Sequence, residues 1–261
     1  MANGIAAEQA LQDTRSLPSL GIGVHLNIVR GRPLSNPTDI PSLVDHEGRF
    51  FNSVGTLLLK SFLGMLNERD IYTEYCSQVQ RMVEAGIMPT HLDGEKHTHL
   101  LIPGCRRAVR RVCDRFNVRK VRTISERKLH ALLAGTGVKM NSRISQSLKL
   151  VCLEHASLQA LDCWQDMDTT DFFFGVLFSG RLTSTEALSA LRALLSLDIS
   201  MTVEWMFHLA YPVDLNKDLS GEFGTYFLNG ERMKETEFIM STEAREEIAR
   251  HRENLISYRE L

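Results

Sequence analysis

Polar and apolar positions alternate strictly over residues 21–28. Ile22, Val24 and Leu26 fall on one side, and Gly21, Gly23, His25 and Asn27 on the other. That period of two predicts a strand. A strand face made of glycines, an imidazole and an amide leaves room for something to approach it. Before it, residues 6–15 have helix-forming composition closed by Pro18. After it, residues 29–52 are rich in turn formers and predict a long excursion, the kind of segment that often carries function. Helical patterns follow at 53–66 and 69–85, the second stopped by Gly86.

Residues 87–92 predict a short strand, and Pro103 opens a helix over about 104–115. That helix is basic on one face (Arg106, Arg107, Arg110, Arg111), which reads as a solvated surface. A strand at 118–123, helices at 126–134 and 143–157, and a buried strand end at Phe172-Phe173-Phe174-Gly175 come next. Residues 183–195 form an amphipathic helix with Thr183, Ser184 or Thr185 as its cap. A β-branched and aromatic strand at 199–207, a polar loop at 211–232, a helix at 242–254 and a final strand at 255–258 complete the pattern. Strands and helices alternate throughout, predicting an α/β fold with mainly parallel strands in one domain over residues 1–261. The strand count suits a (β/α) barrel or partial barrel better than a doubly wound sheet.

Composition narrows the function classes. A net charge of −2 gives no basic footprint, so nucleic acid is not an expected partner. No apolar run approaches a bilayer span and the start is not a signal peptide, so no membrane partner and a cytoplasmic location are expected. The five cysteines are scattered without a CxxC pair and read as reduced thiols. No GxGxxG, P-loop or nucleophile elbow is present, which disfavours nucleotide binding and serine hydrolysis.

The densest chemistry lies in residues 89–103, where His91, Asp93, Glu95, His97 and His99 fall within nine positions at a strand end. His91 and Asp93 share one side of a strand, as do His97 and His99 if the chain stays extended. Imidazoles with carboxylates suit a divalent ion such as Zn²⁺, Mn²⁺, Co²⁺ or Mg²⁺. Three further polar groups also end strands: His25 with Asn27, Arg119 with Arg122, and Glu204 with His208. In parallel α/β folds, sites collect at such ends. His208 is placed to act as a general acid, although a hydrogen-bonded core pair with Glu204 explains the pattern equally well. Arg119 and Arg122 are substrate-contact candidates by position. His46, His130, His155 and His251 carry no site expectation.

The runs Leu20-Gly-Ile-Gly-Val-His-Leu-Asn, Gly31-Arg-Pro-Leu, Pro89-Thr-His-Leu-Asp and His97-Thr-His99 together resemble the YdjC-like carbohydrate deacetylases. The segment from Val203 through Pro212 and the ending Ser257-Tyr-Arg-Glu-Leu261 resemble that family as well. The resemblance implies a (β/α) barrel and a metal-dependent hydrolase that removes acetyl groups from N-acetylated sugars. It implies a divalent metal held by an aspartate near the family's N-terminus, by His25, and by a histidine whose position Glu95 occupies here. His208 matches an acid histidine, and Asp93 is the second catalytic candidate.

His91, His97, His99, Asn27 and Glu204 are alternative or outer ligands on this reading. The family's opening strand with "A-D-D-F-G" has no counterpart in the sequence, which makes the barrel incomplete and a homodimer conceivable. Leu209 and Ala210 replace a proline and a glycine after His208. The competing expectation is an inactive homologue that binds sugar or protein. A metal-free glycosidase built on Asp93 and Glu95 ranks third.

Overall fold

The computed structural model describes residues 1–134, 144–178, 182–197, 200–209 and 231–261. The chain divides into two compact units. The first contains residues 1–123, 155–169 and 257–261; the second contains 124–154 and 170–256.

In the first unit the alternation around His25 produces β1 (Val24–Leu26), parallel to β2 (Leu92–Gly94) with Val24 opposite Leu92, His25 opposite Asp93 and Leu26 opposite Gly94. Parallel bridges join Leu92 to Val121 and Lys120 to Asp168. The strand expected over 118–123 is thus reduced to these two bridges, at Lys120 and Val121. The predicted 87–92 strand is shifted: β2 begins at Leu92, with the Thr90 amide and His91 carbonyl already bonded to Ile22 and Val24.

α1 (Ala7–Thr14) precedes β1. α2 (Val54–Phe62) begins at Ser53, whose hydroxyl accepts from the Thr56 amide. α3 (Glu68–Glu84) packs against α5 (Pro103–Phe116), burying Ile71, Tyr75 and Val79 against Cys105, Val109 and Val112. Pro103 stands at the first turn of α5, where its missing N–H is harmless. The arginines of α5 are tied to neighbours: Arg107 to Glu68, Arg110 to Asp114 and Asp166, and buried Arg106 to the Leu100 carbonyl and Gln159.

α3 also explains the long excursion after β1. Asp70, Glu74 and Gln78 recur every fourth residue on its buried face. Asp70 takes the Ser42 amide, and Glu74 takes the Leu34 and Ser35 amides. Gln78 bonds both the amide and the carbonyl of Asn27, at 2.9 and 2.6 Å. Buried backbone groups of an irregular segment need such partners.

In the second unit β3 (Phe172–Phe174) runs parallel to β4 (Val203–Trp205). Its core is aromatic: Phe174 meets Trp205 edge-on at 5.0 Å, and Phe207 and Phe238 stack at 6.1 Å. α6 (Arg127–Leu133) starts where the Glu154 carboxylate accepts the Glu126 and Arg127 amides. Fully buried Glu126 accepts the Val176 and Leu177 amides and pairs with His130, a histidine given no role from sequence. α7 (Ile144–Cys163), of which residues 144–154 fall in this unit, is longer than the predicted 143–157. α8 (Ser184–Leu195) opens with a capping box between Thr183 and Glu186, so Thr183 is the cap among the three candidates.

α9 (Glu231–Met240) and α10 (Thr242–Arg250) close the unit. The 199–207 strand is shorter than predicted, and residues 255–258 form no strand. The polar loop expected at 211–232 lies largely outside the described residues. Both pairs of named strands are parallel, as expected for an α/β fold, and an antiparallel bridge joins Val44 to Phe50 within the excursion after β1. All five cysteines are free thiols. No helix among the described residues is long and apolar enough to cross a membrane.

Candidate functional site at the ends of β1 and β2

Because His25 and Asp93 are paired in register on neighbouring parallel strands, their side chains leave the same face while Val24, Leu26 and Leu92 bury the other. His25 Nδ1 lies 2.8 Å from Asp93 Oδ2, and His25 Nε2 lies 3.1 Å from Glu95 Oε2. Both carboxylates have a second cation: Arg30 reaches Glu95 Oε1 at 2.6 Å, and Arg122 pairs with Asp93. The Arg30 and Asp93 side chains are 3% and 8% exposed, so these are desolvated charges, whereas His25 at 33% has an open edge.

Burial works against the charge on His25, but Asp93 and Glu95 outweigh it and raise the imidazole to about 9. With both ring nitrogens donating, His25 is an imidazolium here. Burial likewise opposes ionisation of Asp93, and Arg122 with His25 overcomes it, holding the carboxyl well below its usual range. Glu95 is also lowered: burial opposes this, and the His25 hydrogen bond with the Arg30 charge prevails.

The other candidates take different places. Beyond Glu95 the chain does not stay extended. It turns through a 3-10 turn (Glu95–His97) with Lys96 and His97 at φ 50° and 57°, then into α4 (Thr98–Leu101). His97 and His99 therefore do not share a strand face. His99 is fully buried, donates from Nε2 to the Arg122 carbonyl at 3.1 Å and lies parallel to the Trp164 ring. Burial holds its pKa at about 4, so it is neutral. His91 stacks on Tyr258 with centroids 3.8 Å apart and presses on Gly23, where a Cβ would stand 2.4 Å from its ring.

Asn27, expected to face the site, turns into the loop instead. Its Oδ1 accepts the Val29 and Arg30 amides, and its Nδ2 donates to the Arg30 carbonyl. Arg119 is half-exposed and paired with Asp166, while Arg122 belongs to the cluster. Glu204 and His208 belong to the second unit. Glu204 sits in β4 opposite Phe173, and the His208 backbone amide donates to Glu235.

Arg30 escaped the sequence reading. The signal available was Asn27 three residues before it: an Asx turn directly after a strand aims the following side chain.

A model of the YdjC-like protein family matches residues 1–250. The chain belongs to the YdjC-like family. Among this YdjC-like chain's relatives, a carbohydrate deacetylase of Geobacillus stearothermophilus is 36% identical over 131 residues, covering 49% of each protein. One of Halalkalibacterium halodurans is 34% identical over 103 residues (40% of this chain, 42% of the relative). A chitooligosaccharide deacetylase of Escherichia fergusonii is 34% identical over 101 residues, covering 38% of this chain and 37% of the relative. The matched stretches thus span about half or less of these relatives' length.

A solved structure described as a putative cellobiose-phosphate cleavage protein from Enterococcus faecalis superposes with a TM-score of 0.69 at 20% identity. It covers all of this chain and 85% of its own. That likeness shows the fold, a YdjC-type arrangement of helices and parallel strands.

Two donors fit a divalent ion. Ligand atoms about 2.0–2.2 Å from one ion stand about 3.0–3.5 Å apart, and His25 Nε2 and Glu95 Oε2 are separated by 3.1 Å. Asp93 on the far ring nitrogen is the usual carboxylate behind a ligating histidine. Among the described residues, no group of three or more His, Cys, Asp or Glu is disposed to hold an ion, which leaves His25 and Glu95 as a two-donor set.

Proposed function

We propose that this chain is a metal-dependent carbohydrate deacetylase that hydrolyses the amide of an N-acetylated amino sugar, with its site at the ends of β1 and β2. The observation that carries the reading is His25 held between Asp93 and Glu95, at 2.8 and 3.1 Å, in a chain whose YdjC-like relatives are named as sugar deacetylases. His25 Nε2 and Glu95 Oε2 would hold Mg²⁺, Zn²⁺, Mn²⁺ or Co²⁺. Such an ion, when bound there, would supply Lewis-acid polarisation of the amide carbonyl and activation of water.

The protein's own groups do the rest. Asp93 accepts from His25 Nδ1 and so points Nε2 at the ion's place. Arg122 keeps Asp93 ionised; this makes Asp93 an orienting group for His25 more than a proton carrier. Loading the ion requires His25 to give up the Nε2 proton, so binding strengthens with pH up to about 9. The open edge of His25 is where the acetyl group would approach.

The test is acetate release from N-acetylglucosamine oligomers by chelated protein, with each of the four ions added back. Metal-dependent release supports the reading. Sugar binding without release at any ion would replace it with a non-catalytic carbohydrate-binding role.

A further inference from the structure

Glu95 stands beside His25 as a carboxylate. A carboxylate carries a full charge and two oxygens, and left to itself it can grip an ion through both. Here one of the two is occupied. Arg30 reaches Oε1 at 2.6 Å from a side chain only 3% exposed, while Oε2 faces His25 Nε2.

Arg30 has little freedom to leave. Its amide and carbonyl are both bonded by Asn27, whose own backbone is fixed by Gln78 of α3. Asn3 also donates to the Arg30 carbonyl at 3.2 Å. A chain of buried hydrogen bonds therefore runs from α3 through Asn27 to Arg30 and on to Glu95.

We infer that Arg30 is a positioning residue that turns Glu95 into a one-oxygen, charge-masked metal ligand, with Oε1 neutralised by the guanidinium and Oε2 alone presented beside His25 Nε2. This rests on the metal-dependent reading above and deepens it. The masked carboxylate offers an ion one donor atom and little net charge, much as an imidazole does. A bare carboxylate would favour harder, larger ions that accept bidentate oxygen ligation.

The test is a double-mutant cycle read by direct metal binding. Zn²⁺ and Mn²⁺ dissociation constants are measured calorimetrically for the wild type, Arg30→Met, Glu95→His and the double variant, with circular dichroism confirming that each is folded. Arg30→Met is expected to weaken Zn²⁺ binding about tenfold or more and to shift preference toward Mn²⁺. Arg30→Lys, which keeps the charge without the planar fork, should recover part of the loss. In the Glu95→His background, where a single nitrogen replaces the masked oxygen, Arg30→Met should leave Zn²⁺ affinity nearly unchanged.

Equal losses in both backgrounds would show that Arg30 merely supports the fold, and would overturn the inference while leaving the metal site intact. No loss in the wild-type background would overturn it as well. Absence of Zn²⁺ and Mn²⁺ binding by all four folded proteins would sink the metal-dependent reading and this inference together.

Discussion

The two parallel strand pairs among the described residues have the same backbone pairing and opposite chemistry. β3 and β4 bring Phe172, Phe173, Phe174 and Trp205 together in an aromatic core. β1 and β2 bury Val24, Leu26 and Leu92 on one face and set His25 and Asp93 side by side on the other. The first pair is held by apolar area, which is indifferent to pH. The second is held partly by charges removed from water, which stay ionised only while each has an opposite partner. One face of the β1–β2 pair is thus given over to charged groups that are neutralised by residues outside the strands, here Arg30, Glu95 and Arg122.

The contrast can be broken from either side. Phe173→Ala, at a fully buried position, is expected to lower unfolding free energy in urea by about 3–5 kcal/mol at any pH between 3 and 9. Arg122→Met should cost about 3 kcal/mol, the low end for breaking a buried pair because His25 still faces Asp93. The two differ in pH response. Asp93 is depressed in the folded state, so its contribution is present above an unfolded value near 3.9 and lost as pH falls toward the folded value. The gap between Arg122→Met and the wild type therefore narrows in acid, and the Phe173→Ala gap does not. If both gaps were flat with pH, the charge cluster would not be contributing as described.

His25 sharpens the comparison at the other end of the scale. Its folded pKa, about 9, lies above the unfolded value, so its stabilisation is complete below about 6.5 and is lost as pH rises from there through about 9. In chelator, wild-type stability should fall across that window. His25→Gln should remove this slope, and the effect of Phe173→Ala should be the same at both ends.

The smallest effect concerns packing inside the charged pair. Gly94 lies under the His99 ring, where a Cβ would stand 2.8 Å from Nδ1. Gly94→Ala should destabilise by about 1–3 kcal/mol in thermal unfolding, by forcing a buried ring aside.

What the sequence revealed follows from how local each signal is. The alternation around His25, the proline opening α5, the triple phenylalanine and the Thr183 cap all depend on near neighbours and were legible. Glu95 and His25 were paired as metal ligands from the family resemblance, and their side chains do meet. His97 and His99 share a face only if the chain stays extended, and it does not. Two consecutive left-handed residues, Lys96 and His97, turn the chain, and neither is a glycine that would announce it. Arg30 was invisible because its meaning lies in a partner 65 positions away (95 − 30) and in a turn set by Asn27 and Gln78. The α3 stripe of Asp70, Glu74 and Gln78 was readable as a period of four, and its purpose appears only with the loop it holds.

The central claim, that the His25 cluster is where an acetyl group is removed, meets its most direct test in one rate. Acetate release from an N-acetylglucosamine oligomer is measured for the wild type and for His25→Gln at saturating metal, with cooperative unfolding confirmed for both. The account predicts that His25→Gln falls to the uncatalysed background. Release at the wild-type rate from folded His25→Gln would contradict it.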